Sequence, residues 1–275
     1  MLESASAPPN RTITRRTLIT LVILILSAVV VALFVESPPH TVLGKADLVG
    51  FAVCHRIPER SFTLAGRQLP LCARCTGTFL GAMLGLAVML LLGRRRASVL
   101  PPVPVLGLLL IFMGLWAFDG LNSYLGFFPG APQLYQPQNW LRLTTGLLEG
   151  LALMIFLFPV LNFSLWRHPR REPAIRNLVE LLAILPLVAL LVLIVRAQID
   201  FLLYPLAIVS SLGVIVLLTM INAILVVVVL RREGAAQSWR GLVVPFTAGL
   251  ALAALQVTAL SLLRAYLTVT FGLTF

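Results

Sequence analysis

Leu203–Leu230 reads LYPLAIVSSLGVIVLLTMINAILVVVVL, a run of 28 residues without one Asp, Glu, Lys or Arg. A bilayer core of about 30 Å is crossed by about 20 apolar residues in a helix, so this stretch reads as a transmembrane span with length to spare for tilt. Runs of the same kind recur at Leu18–Val35, Ala73–Leu92, Val103–Leu121, Leu141–Phe163, Leu178–Val195 and Leu242–Leu267. The reading is an all-α polytopic bundle of seven transmembrane spans. Composition agrees: 59 % of the 275 residues are hydrophobic, 11 % are charged and the mean hydropathy is +1.00. Soluble domains carry about 25 % charged residues, so a water-soluble globule is excluded.

The net charge of +11 would suggest nucleic acid in a soluble protein. Here its distribution orients the chain in the membrane, and no nucleic acid is expected as a partner. Arg11, Arg15 and Arg16 precede the first span, Arg94–Arg96 follow the second, Arg167, Arg170, Arg171 and Arg176 follow the fourth, and Arg231, Arg232 and Arg240 follow the sixth. With seven spans these 13 of the 21 basic residues fall on one side. The positive-inside rule then puts the amino terminus in the cytoplasm and the carboxyl terminus outside. The first run ends in Glu36-Ser37-Pro38-Pro39 without an Ala-x-Ala site, so an uncleaved anchor is expected rather than a signal peptide. Three segments follow: a cytoplasmic tail over residues 1–17, a membrane core over 18–163 with an outer Cys/His loop at 36–75, and a three-helix extension over 164–275.

All three cysteines sit in that outer loop and the helix start after it: Cys54-His55, then Cys72-Ala73-Arg74-Cys75. Three thiols and an imidazole are enough for one tetrahedral metal ion; zinc is expected and copper is the alternative, since the donors alone do not choose. Adjacent ligands at Cys54 and His55 need a bent backbone, and Pro58 is consistent with a turn there. Other readings compete. A Cys-x-x-Cys facing an oxidising compartment can form a disulfide or exchange electrons with thiols or a quinone. A c-type haem is disfavoured because Thr76 follows Cys75, and an iron–sulfur cluster lacks a fourth Cys.

The stretch Cys54-His55-Arg56-Ile57-Pro58-Glu59-Arg60-Ser61-Phe62, with Leu69-Pro70-Leu71-Cys72-Ala73-Arg74-Cys75-Thr76-Gly77, resembles the signature of the bacterial and archaeal membrane proteins grouped as domain of unknown function 2085. The resemblance runs from about Val49 to Gly150 and takes in Asp119-Gly120 and Asn139-Trp140-Leu141-Arg142 to Thr145-Gly146. It implies a polytopic protein of a prokaryotic cell membrane, and it brings no activity with it. The last three helices carry no part of it.

Ionisable groups within a span cost about 2.5–3.5 kcal/mol each on insertion scales, which makes them candidates for function. Asp119 and Asn122 share a face near the outer end of the third span. Arg142, Thr145 and Glu149 share one on the fourth, with Glu149 about 10 Å deeper than Arg142. All fall on the membrane side of the cysteines. Asp119, Glu149 and Arg142 are the expected catalytic groups; Arg56, Glu59, Arg60, Arg74, Asn122 and Asn139 are the polar residues expected around them. The bland alternative is that Arg142 pairs with Asp119 or Glu149 to lock two helices. Arg196 and Arg264 read as snorkelling cations at helix ends, and Gly77, Gly81 and Gly85 as a packing stripe.

Three classes of function remain open. The first is a metal-dependent enzyme whose carboxylates move protons on an amphipathic or anionic ligand, a lipid or isoprenoid admitted from the membrane. The second is a Cys72/Cys75 redox protein. The third is a structural-zinc scaffold or carrier, which a closed Cys₃His set favours unless one ligand is labile.

Overall fold

The computed structural model describes residues 15–128, 130 and 132–272; of the expected tail at 1–17, all but the last three residues lie outside it. In chain order the helices are α1 (Arg15–Glu36), α2 (Val42–Val53), α3 (Ala73–Leu91), α4 (Val103–Leu125), α5 (Asn139–Leu165), α6 (Leu178–Leu182), α7 (Leu185–Arg196), α8 (Leu203–Val229) and α9 (Val243–Phe271). Seven helical segments are long and apolar enough to cross a membrane, with α6 and α7 together forming the fifth. That span is broken because Pro186, at the start of α7, has no N–H to continue the ladder from α6. Pro159 lies inside α5 without ending it.

The expected outer loop is more ordered than its composition suggests. It contains α2, whose 12 residues are too few to span, capped by Thr41 Oγ1 accepting from the Gly44 N–H at 3.1 Å. A hairpin follows, with β1 (Thr63–Leu64) antiparallel to β2 (Arg67–Gln68). The Ala65 N–H at its tip donates to Asp200 Oδ1 at 2.7 Å, tying the loop to the start of α8.

The core lies where α5 meets α3. A Cβ on Gly81 would stand 2.1 Å from the Leu147 carbonyl oxygen, and one on Gly150 would stand 1.7 Å from that of Thr78. Glycine is therefore required at both, and the stripe predicted on the second span packs backbone against backbone. Leu143, Leu147, Leu151, Met154 and Ile155 of α5 are fully buried around this contact.

The basic loops gather at one end of the bundle. Arg94 forms a two-pronged pair with Glu180, at 2.7 and 2.6 Å. β3 (Ala97–Val99) runs parallel to β4 (Arg170–Pro173), and Arg96 stacks over Trp166 and Trp239 at 3.9 and 5.7 Å from the ring centres. Arg232 reaches Thr20 of α1 at 3.4 Å. The cysteines lie at the other end, where α9 returns to α2.

Candidate metal centre and arginine cluster

The end of α2 and the start of α3 deliver the sulfurs to one point. A Cβ on Gly50 would fall 1.9 Å from the Pro70 carbonyl oxygen, so glycine there lets the segment leading to Cys72 lie against α2. Cys54 then leaves the helix in extended conformation and Arg56 turns back at φ 55°. This is the bend that adjacent ligands require. Ligand atoms of Cys54, His55 and Cys72 lie within 4.8 Å of one another. The Cys72 and Cys75 thiols donate to the Cys54 sulfur, which also accepts the Cys72 N–H at 3.2 Å. These bonds, that from Cys72 foremost, hold the Cys54 thiol far below its usual range, to about 2; the bond Cys72 donates pushes its own up to about 11. All three thiols are free of disulfides.

His55 is less committed. Burial lowers its pKa and keeps the ring neutral, but Nδ1 accepts the Ile57 N–H at 3.0 Å. In that tautomer Nε2 carries the proton. A metal at either nitrogen therefore displaces that hydrogen bond, whereas of the sulfurs only those of Cys72 and Cys75 have a proton to lose. Among the described residues the atoms close enough to share an ion are those of Cys54, His55 and Cys72; Cys75 is not in that group, although it bonds to Cys54.

Beside the sulfurs lies a cluster centred on Ser123. Arg60 Nη2 donates to its carbonyl oxygen at 3.3 Å; Arg74 Nη2 and Arg142 Nε donate to its hydroxyl at 3.1 and 3.4 Å. Glu59 lies near Arg60, and Asp119, 1 % exposed, pairs with Arg74 and accepts from the Tyr135 hydroxyl at 2.7 Å. Burial, with that bond, raises the Tyr135 pKa to about 12, so it remains a donor. Arg142 also donates to Asn139 Oδ1 at 2.8 Å and lines an outward pocket of about 440 Å³ with Glu59, Asn139, Trp140 and Arg196.

The partnership of Arg142 with Asp119 or Glu149 is corrected: among the described residues no ion pair joins them, and Asp119 pairs with Arg74, whose guanidinium lies beside the neighbouring Gly120. Arg56 faces away, paired with Asp47 at 2.6 Å. Asn122 shapes a loop, bonding the Tyr135 carbonyl and the Leu134 N–H, both at 2.9 Å. Glu149 is buried, and its Oε2 has no hydrogen-bond partner among the described residues. Sequence reasoning missed Tyr135 and Ser123, although Ser123 lies one turn beyond Asp119. It set aside Arg196, which lines the pocket, and Arg264, whose guanidinium bonds the carbonyls of Phe51 at 2.8 Å, Cys54, and His55 at 3.0 Å.

Residues 54–156, which include every cysteine and every expected catalytic residue, match the family described as predicted membrane protein (DUF2085). An uncharacterized protein of Methanothermobacter thermautotrophicus is 32 % identical over 103 residues, covering 38 % of this chain and 82 % of that protein. An uncharacterized protein of Methanocaldococcus jannaschii is 29 % identical over 108 residues, 39 % of this chain; the match spans 63 % of that protein, under two thirds of its length. No solved structure matches the chain.

Proposed function

The chain belongs to the DUF2085 family of predicted membrane proteins, and from that premise we propose that it binds one metal ion on Cys54, Cys72 and Cys75 at the outer membrane face, beside an arginine-lined pocket for the anionic head of an amphipathic ligand. The observation that carries this reading is the convergence of Arg60, Arg74 and Arg142 on Ser123, of which only Arg74 forms an ion pair among the described residues. Guanidiniums without an ion-pair partner can take up an anion, and a phosphate or carboxylate answers them with charge-assisted bonds. The membrane setting makes the ligand a lipid or isoprenoid.

The reading extends to metal-dependent chemistry on that ligand. A zinc ion held by Cys54, Cys72 and Cys75 would supply Lewis acidity to the ligand's oxygen or to a water, while the Ile57 N–H keeps His55 engaged elsewhere. Arg142 binds the anion and Asp119 positions Arg74. Glu149, the buried carboxylate without an ion-pair partner among the described residues, is the group left to move a proton. A structural-zinc reading draws support from the burial of Cys54 and Cys72 and the clamp of Arg264 over them.

Metal analysis of detergent-purified wild type and Cys72→Ser, combined with binding of a short-chain lipid phosphate to wild type and Arg142→Gln, tests both halves. The proposal expects one zinc per chain, lost in Cys72→Ser, and lipid-phosphate binding weakened at least tenfold in Arg142→Gln, as loss of a charged hydrogen bond worth roughly 1.5–3 kcal/mol requires. Zinc without ligand binding leaves the structural clip as the better account. No metal and a Cys72–Cys75 disulfide replaces both with the redox reading.

A further inference from the structure

The end of the bundle remote from the cysteines contains a larger cavity, about 650 Å³, walled by α3, α5, α8 and α9. Its lining is almost wholly apolar, with Arg95 the one charged residue. A volume of roughly 300–1,000 Å³ is typical of small-ligand sites. The rim residues Leu90, Leu212 and Trp239 are exposed, and two of them belong to spanning helices, so the cavity opens sideways into the hydrocarbon region and is entered from the membrane. A second cavity of about 250 Å³, bounded by Arg232 and Arg240, adjoins it across Leu165.

The arginines decide what enters. Neighbouring Arg94 and Arg96 are occupied, by Glu180 and by the rings of Trp166 and Trp239. Among the described residues no carboxylate lies within 4 Å of Arg95, Arg232 or Arg240. Trp166 and Trp239 line the cavity between them, as amphipathic rings do at the depth of lipid headgroups. We infer that this end of the bundle holds a membrane phospholipid with an anionic headgroup, its acyl chain in the apolar cavity and its head at Arg95, Arg232 and Arg240. Charge complementarity selects the head; the lateral opening selects a lipid over a soluble anion. The site is independent of the metal and of the pocket at the other end.

The test uses the full chain with Trp116→Phe and Trp140→Phe, so that emission comes from Trp166 and Trp239, in nanodiscs containing rising fractions of dibrominated phosphatidylglycerol or dibrominated phosphatidylcholine. Quenching by the glycerol lipid is expected to saturate at a mole fraction about fivefold lower for each arginine engaged. Arg95→Gln and Arg240→Gln, both at exposed positions, are expected to shift that curve toward the choline lipid's without altering thermal unfolding. Equal quenching by the two lipids at every fraction overturns the inference. So does relief of quenching by 10 mM inorganic phosphate to the extent achieved by excess unbrominated phosphatidylglycerol, since that outcome identifies a free-phosphate site.

Discussion

Arg264 donates through Nη2 to the His55 carbonyl oxygen at 3.0 Å, joining the last spanning helix to a residue 209 positions earlier. The same guanidinium bonds the carbonyls of Phe51 and Cys54 and lies over the Phe51 ring, 4.4 Å from its centre. These carbonyls end α2, where helical acceptors lack intrahelical donors and a cation is favoured by the helix dipole. A residue outside the family-matched segment thus fixes the backbone that carries two of the candidate ligands. Arg264→Met preserves apolar bulk but removes the donors. It is expected to lower metal affinity by about tenfold or more, the scale of outer-shell substitutions, and to speed labelling of Cys54 by a small maleimide. Arg264→Lys, with one ammonium for three carbonyls, should fall between. Unchanged labelling and metal content in Arg264→Met would sink this role.

Asp119 depends on Arg74. Breaking a buried pair from one side costs roughly 3–5 kcal/mol, because the remaining charge stays buried, whereas replacing both partners with apolar residues is often close to neutral. Arg74→Met should therefore lower the midpoint of unfolding in detergent sharply, and Arg74→Met/Asp119→Leu should recover most of the loss. Tyr135→Phe, which removes only a hydroxyl donor, is expected to cost about 1 kcal/mol. A double variant no better than Arg74→Met would mean that the pair does more than neutralise itself.

Small residues between α3 and α5 set how closely these groups approach. Gly81→Ala and Gly150→Ala each drive a methyl into a backbone carbonyl that cannot rotate away, so each should destabilise by roughly 1–3 kcal/mol or more. Gly107→Ala, on α4 with nothing within 4 Å of the added Cβ, should leave unfolding unchanged or raise its midpoint slightly. Size-exclusion profiles and thermal melts of the three variants separate these cases.

What was legible in the sequence follows from physical range. The seven spans emerge to within a few residues because uninterrupted apolar length is a strong, local signal; α2 was hidden because 12 residues with Lys45 and Asp47 among them carry no such signal. The break before α7 was hidden for another reason. Pro186, Pro205 and Pro245 all stand in the first turn of a helix and Pro159 inside one; only the structure shows that the chain breaks before Pro186 and runs on through Pro159. The sulfur cluster was visible because cysteine is scarce and its spacing short. Partner choice across helices was not: spacing along α5 put Arg142 on the right face, but it is Arg74 at the start of α3 that takes Asp119, and no spacing along the chain relates those two helices.

Orientation rests on the basic loops. Contacts put the basic loops at one end of the bundle, and the positive-inside rule predicts that this end faces the cytoplasm and the cysteine end the outside. A periplasmic reporter such as alkaline phosphatase, fused after Phe275, should be active, and the same reporter fused after Arg96 should be silent. The opposite pattern would move the metal site to the cytoplasm, where thiols are kept reduced, and remove the basis for a disulfide reading altogether.

Glu149 offers the sharpest separation between architecture and chemistry. It lies seven residues beyond Arg142, and Trp116 lies seven residues before Ser123 on the antiparallel α4. Since Arg142 and Ser123 are in contact, Glu149 and Trp116 share a depth about 10 Å below the arginine cluster. Each holds a buried polar atom without a partner, Oε2 of the acid and Nε1 of the indole. A fold that needed Glu149 for its own stability would have satisfied that oxygen, because an unsatisfied buried polar atom costs about 1–3 kcal/mol. Glu149→Gln keeps the shape, removes the ionisable proton and places no new charge in the span. Its melting midpoint and metal content are expected to equal or exceed those of wild type, while the phenotype of a deletion strain goes uncomplemented. A melt lowered by several degrees with full complementation would make Glu149 a structural residue and withdraw its role in proton transfer.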